Sequence, residues 1–563
     1  MKTTLLALSL LLPFVAQERV DEATDAKMRS EELEHSQIMH TLHMLTDRYG
    51  PRVTGTPNHE LAAKWAANQM TQWGLKNAHL EPWEFGHPGW LNESASGHID
   101  APVRENIKFE VLAWTPSTAG KIVAPAIQLV PPQGPLPEET PSTATAATRN
   151  AGGGAGGGGG MGRLGPPARL GPLKTEFDQW VAENQSKVKG KIVLIGKAAV
   201  IPVNFTPPVK RRPDDQVKAQ FDPLHPSGNG GYGGRGGTPP PTDPTRYSLN
   251  EANAKVDAML VAGGAAVRVN DAARADGVIV AQQHRGYDPA TAVPTVILRN
   301  DDFGRVERLM ADGEEVKLDF EITNHLYPEG KTSYNTIAEI PGSDKASEVI
   351  MLGGHLDSWH GGTGATDNAI GCSIMMEAAR LIQNSGVKPR RTIRVALWSG
   401  EEEGLLGSIA YVKAHFGTAE DPKPEWFTLD AYFNVDSGTG RLRGASIFGP
   451  PEAAATLRPV FAQYEDWGMA GVITTKSRAV GGTDSTSFNN AGLPGIGLQQ
   501  DPIEYGSLTH HTNLDTYERI IPDDVEKAAA IVAAGVLHLA NRDEMVPRFP
   551  KDQMPAPVKI PEF

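Results

Sequence analysis

Short apolar runs separated by amphipathic stretches organise the second half of this chain. VIMLGG at 349–354, TIRVALW at 392–398, AYFNV at 431–435 and GIGL at 495–498 are each brief, rich in branched or aromatic residues and bounded by glycine or polar turns, as buried strands are. Residues 369–382 and 405–416 between them carry helical periodicity. Strand and helix in alternation predict an α/β fold with a mixed, largely parallel sheet between helical layers. Nearer the start, 31–49 and 58–73 predict helices; in the second, Leu61, Trp65, Ala66, Met70 and Trp73 share a face, Asn58 is placed to cap and Gly74 to stop it.

The pattern changes between about 126 and 326. KGKIVLIG, a helix ending in LVAGGAAVRVN, the strand DGVIVAQ, the run VPTVILRND and MADGEEVKLDFEI form a second series, predicting a unit inserted into the first. The first unit then comprises 27–125 and 327–545, with 546–563 as a tail. Within the insertion, the tracts at 151–162 and 225–245 are dominated by glycine and proline, which favour mobile loops. Neither follows a strand and opens a helix, so neither reads as a phosphate cradle.

Composition narrows the function classes. A length of 563 residues suggests two or three domains, and a net charge of −14 argues against nucleic acid as a partner. Lys2, the apolar run from Leu5 to Val15 and Ala16 predict a signal peptide at 1–16 and an exported protein, periplasmic or secreted. Phe14 sits where cleavage prefers a small residue, so an uncleaved anchor is the alternative; no other stretch is long and apolar enough to span a membrane. Cys372 is the single cysteine, which rules out an intrachain disulfide and agrees weakly with a bacterial periplasm or exterior.

Candidate chemistry lies at five stations, most of them at the end of a predicted strand. They are His355 and Asp357 in GGHLDSW, Asp367 in GATDNAIG, Glu401 and Glu402 in LWSGEEEG, Asp436 in FNVDSG, and His511 in THHTNLDT. Ligands of α/β sheets gather at the carboxyl ends of strands, so the stations converge if the runs form one sheet. Imidazole nitrogen and carboxylate oxygen are donors zinc accepts, and two histidines with three carboxylates suit two ions sharing a bridge. Adjacent Glu401 and Glu402 point apart, which leaves one to coordinate and one to move a proton. Asp357, two residues after His355, is placed to support that imidazole if the strand continues.

With those residues the chain resembles the dinuclear zinc exopeptidases that include bacterial leucyl aminopeptidases, plasma carboxypeptidase Q and glutamate carboxypeptidase. HLDSW, the step from His355 to Asp367, the Glu pair, the strand-end Asp436 and the H-T-x-x-D-T close carry the resemblance, and GPRVTGTP resembles the start of the family's peptidase domain. The resemblance implies a three-layer α/β/α peptidase domain with two Zn2+ per chain. One ion is held by His355 and Asp436, the other by Glu402 and His511, with Asp367 bridging and Glu401 as general base. It implies a peptide substrate cleaved at a terminus, by an aminopeptidase or dipeptidase, with a carboxypeptidase as the alternative. The order of runs in 126–326 resembles the β-rich protease-associated module inserted in many relatives.

Other acids and bases are secondary. His510 is a possible donor to the transition state, in the place where some relatives carry a tyrosine, while Asp484 and Asp515 read first as a helix cap or turn acid. Glu403 or Arg478 could hold a substrate terminus, and neither settles the direction of cleavage. A one-metal acyltransferase of the glutaminyl cyclase kind and a receptor-like protein without activity share the architecture; the complete set of ligand positions counts against the second.

Overall fold

The computed structural model describes residues 20–135, 170–203, 205–206, 210–224, 243–479 and 482–558. The predicted signal peptide, the tract at 151–162 and most of the tract at 225–245 lie outside them. Two eight-stranded sheets are present among the described residues.

The first sheet contains β1 (Lys76–Glu84), β2 (Thr332–Ile340), β3 (Lys345–His355), β4 (Arg391–Trp398), β5 (Leu429–Val435), β6 (Leu442–Phe448), β7 (Gly471–Thr475) and β8 (Gly495–Gln500). Their order is β1-β2-β4-β3-β5-β8-β6-β7. The centre, β4-β3-β5-β8, is parallel, whereas β1 and β2 and the β6-β8 pair add antiparallel connections. The sheet is therefore mixed, with a parallel heart. From β3 the chain moves to β4 on one side and then to β5 on the other, which makes the end of β3 a topological switch point where ligands collect.

Alternation along the strands places helices on both faces. Ile350 and Leu352 of β3 pack with α2 (Pro57–Gln72), α3 (Ile370–Ser385) and α5 (Pro522–Asn541), while Met351 packs with Tyr411 and Val412 of α4 (Leu406–His415) on the other face. α5 is buried almost all round, and its alanine-rich sequence lets it lie close against α3.

Near the start the helices differ from expectation. A helix, α1, begins at Glu22, nine residues early, because Asp21 caps it by accepting the Thr24 main-chain N–H at 3.1 Å. It ends at His35, where the Ser36 hydroxyl donates to Glu32 and also accepts the Ile38 N–H, local bonds that compete with the helix. The cap of α2 is Thr56 and not Asn58, since Pro57 occupies the first helical position and the cap must precede it. Gly74 does follow the helix, at φ 97°.

The second sheet runs 105–106, 89–101, 317–327, 122–129, 192–195, 267–271, 295–298 and 109–111. Its first half is antiparallel and its second a parallel run, closed by the antiparallel edge strand 109–111, with helices Lys174–Asn184, Leu249–Gly263 and Asn300–Ala311, so this unit is α/β, not simply β-rich. It begins at Gly89, well before the expected boundary at 126, because GWLNESASGHIDA is a long, half-exposed strand with no apolar run to announce it. Departing and returning chain cross where Gly55, Gly89 and Gly330 meet; a Cβ on Gly89 would stand 2.0 Å from the Gly55 carbonyl oxygen. The tail is docked, with the Val546 N–H donating to Asp430 at 2.6 Å and Phe549 against Phe448.

Candidate metal centre

His355 is the last residue of β3 and is fully buried. Its Nδ1–H donates to the main-chain carbonyl of Asp357 at 3.1 Å, which fixes the tautomer and turns the Nε2 lone pair outward. Nε2 lies 3.2 Å from Asp367, 3.5 Å from Asp436 and 4.0 Å from Glu401. Register explains the meeting: His355 pairs with Trp398 at the end of β4, and Asp436 immediately follows β5.

Asp367 occupies the turn before α3. Asp515 holds that turn by accepting the main-chain N–H groups of Thr366 and Asp367 at 2.6 and 3.1 Å. Asn368 bonds the Gly371 N–H and the Val435 carbonyl, tying the helix start to the end of β5. Asp367 thus faces both histidines, with His511 Nε2 3.2 Å away. Glu402 lies 2.9 Å from the same nitrogen, and its main-chain N–H donates to the Asp357 carboxylate at 3.1 Å. Two donor groups result, His355 with Asp367 and Asp436, and Asp367 with His510 and His511.

Asp357 is off the strand, since β3 ends at His355. It bonds that ring through its carbonyl and anchors the Glu402 loop through its carboxylate, which also accepts from Thr54 at 3.3 Å. Ring stacking places His510 on His511, with centroids 3.7 Å apart, and its Nε2 is 3.8 Å from Asp367. Asp515 is a turn acid acting across the chain. Asp484 stands at a helix start yet makes no capping bond. Arg478 is occupied by Glu420 and the Asn490 carbonyl, which removes it as a substrate anchor. Glu403 is buried, and its direction is inward. Sequence reasoning missed Tyr505, whose hydroxyl donates to Asp436 at 3.4 Å; its only signal is an aromatic residue in an otherwise polar loop before the histidines.

The electrostatics are those of an unneutralised acidic cluster. Burial pushes Glu401, Glu402 and Glu403 well above the usual carboxylate range, and neighbouring carboxylates add to the effect. Burial also raises Asp484 and Asp515 to about 7. For His355, burial opposes the cation, but the charges of Glu401 and Asp436 prevail and hold its pKa high. Burial outweighs the acids at His510, which falls to about 4. Arg52, buried beside the site, spends its donors on the carbonyls of Leu45, Leu356, Thr363 and Gly364.

These side chains fit a metal. His355 Nε2, Asp367 Oδ2 and Glu402 Oε1 are buried without a hydrogen-bond partner among the described residues. Leaving several buried carboxylates uncompensated costs several kcal/mol per charge, on the order of what a divalent cation would relieve. Imidazole Nε2 with carboxylate oxygen is zinc's donor chemistry. Trp359, Gly362 and Thr512 line an opening onto Asp367, Glu402 and His511.

Residues 335–536, which carry every one of these stations, match Peptidase family M28. Over that stretch, rather more than a third of the chain, the sequence is similar to that family. Carboxypeptidase Q from Mus musculus is 32% identical over 261 residues, 46% of this chain and 53% of that protein. The match therefore spans about half the length of this curated relative. A peptidase M28 precursor from Shewanella amazonensis superposes with a TM-score of 0.60 at 22% identity, covering 94% of this chain and 99% of that one. BSAP, a zinc aminopeptidase from Bacillus subtilis, superposes with a TM-score of 0.51 at 17% identity, covering 89% and 94%. The two superpositions establish a shared M28 fold.

Proposed function

We propose that this chain is an exported, zinc-dependent exopeptidase that binds two zinc ions and hydrolyses a terminal peptide bond. The observation carrying the proposal is the pair of donor groups that share Asp367, one buried and the other partly buried. His355 and Asp436 would hold one ion, Glu402 and His511 the other, with Asp367 placed to serve either. When bound, the ions supply Lewis acidity toward the scissile carbonyl and toward the attacking water.

The chain's own residues do the rest. Glu401 accepts the proton of the water and returns it to the leaving amine; its burial raises its basicity toward neutral pH, as that role requires. Asp357 keeps the His355 ring and the Glu402 loop in register. His510, Tyr505 or both face the carbonyl oxygen as hydrogen-bond donors. The unit built on the second sheet is a protease-associated-like insertion.

Carboxypeptidase Q, as a named relative, favours carboxypeptidase action, and aminopeptidase or dipeptidase action is the other reading of the same site. Dipeptides blocked at either end, assayed with and without zinc, separate them. Cleavage that requires a free amine identifies an aminopeptidase, and cleavage that requires a free carboxylate identifies a carboxypeptidase. A need for both identifies a dipeptidase. No zinc-dependent cleavage of any of them contradicts the proposal.

A further inference from the structure

The inserted unit reaches into the metal centre. Its segment 277–284 runs antiparallel to the loop bearing His511, with Val280 bridging Thr512. The Ile279 N–H donates to Asn513 Oδ1 at 2.8 Å, and the Asn513 N–H donates back to the Ile279 carbonyl at 3.1 Å. Three residues on, the Ala113 N–H donates to the Gln282 carbonyl at 3.1 Å. Held on both sides, Gln282 places its carboxamide nitrogen 2.9 Å from His511 Nδ1.

His511 needs such support more than His355 does. It lies on a loop, its backbone sits at φ 61°, a region costly for most residues other than glycine, and among the described residues its ring stacks on His510 alone. At His355 the tautomer is set by a main-chain carbonyl within its own domain. At His511 the group facing Nδ1 belongs to the other sheet's unit.

We propose that Gln282 is a positioning residue for His511, its carboxamide oxygen accepting the Nδ1 proton so that Nε2 is left free for zinc. The inference rests on the metal assignment above. A carboxamide has the same outline after a half-turn about its last torsion, so one side-chain position can present either nitrogen or oxygen to the ring. A ring that ligates through Nε2 carries its proton on Nδ1, and so selects the oxygen. The insertion is then part of the metal centre, and the half-site it supports is the one shared by Glu402 and Asp367.

The test compares Gln282→Leu with Gln282→Glu in the full chain. Zinc affinity is read by competition with a chromophoric chelator, and the ligand field by the visible spectrum of the cobalt(II)-substituted protein. Gln282→Leu should weaken one of the two sites by about 10–100-fold and shift the cobalt bands, as loss of an orienting partner does. Gln282→Glu keeps an acceptor and should recover both readouts. Parent-like zinc affinity in Gln282→Leu overturns the proposal, and so does equal weakening in both variants, which marks a packing role. A parent chain that binds no zinc at all overturns the metal assignment itself, a result distinguishable from the other two.

Discussion

Two buried acidic clusters in this chain are answered differently. Where α1 packs on α3, Glu377 accepts three bonds from Arg380 at 2.7 to 3.0 Å and one from the Gln37 N–H, and Arg380 also reaches Glu31 at 2.6 Å. At the carboxyl ends of β3, β4 and β5 there is more buried carboxylate, and the cation beside it, Arg52, is engaged elsewhere. In the first cluster Glu377 has its cation as folded. In the second, under the proposal made above, a bound cation would take the part that Arg380 plays in the first.

The sharpest way to break this contrast is Asp367→Ala. Because Asp367 faces both histidines, the variant should lose zinc and activity together, read by elemental analysis and dipeptide hydrolysis. Retention of both metals would remove the shared bridge from the account. Next in size is Glu401→Gln, which keeps shape but removes basicity: turnover should fall by roughly 10²–10⁴ with zinc retained. Glu402→Gln should instead lower zinc occupancy before anything else. If Glu401→Gln is the variant that sheds zinc, the two roles are exchanged.

Arg380→Met strikes the other cluster. It strands Glu377 and Glu31 without their cation and should destabilise the chain by about 3–5 kcal/mol while leaving zinc stoichiometry unchanged. Chemical denaturation with parallel metal analysis checks both halves of that statement. The smallest effect is expected at Glu32, where burial and the Glu377 carboxylate raise the pKa from its ordinary 4.5 to about 9. A carboxyl so raised supports the fold only while protonated: its contribution is full below 4.5 and is lost as pH rises through about 9. Glu32→Gln should flatten the decline in stability between neutral and alkaline pH; an unchanged slope would show that Glu32 does not titrate there.

How much of this was legible in the sequence differs between the two sheets. The strands of the parallel heart announce themselves as apolar runs because both faces are covered by helices, and two of them end at or just before a candidate ligand, β3 at His355 and β5 before Asp436. Gly89–Ala101 has no such run, being half exposed, so the pattern of apolar positions does not mark the start of the second unit. At the site, residues next to a strand end were visible. Tyr505 and Gln282 were not, because they reach the histidines through loops whose course no periodicity encodes. The cap of α2 is Thr56, two residues before the Asn58 that the pattern suggests, because Pro57 takes the first helical position.

Under the proposal made above, the acidic cluster at the end of β3 holds two metals. Elemental analysis of the zinc-reconstituted, exhaustively dialysed chain tests it most directly. The account predicts two zinc ions per chain in the parent and fewer than two in His511→Ala, with a strong chelator removing metal and peptidase activity together. One zinc or none in the parent would contradict it.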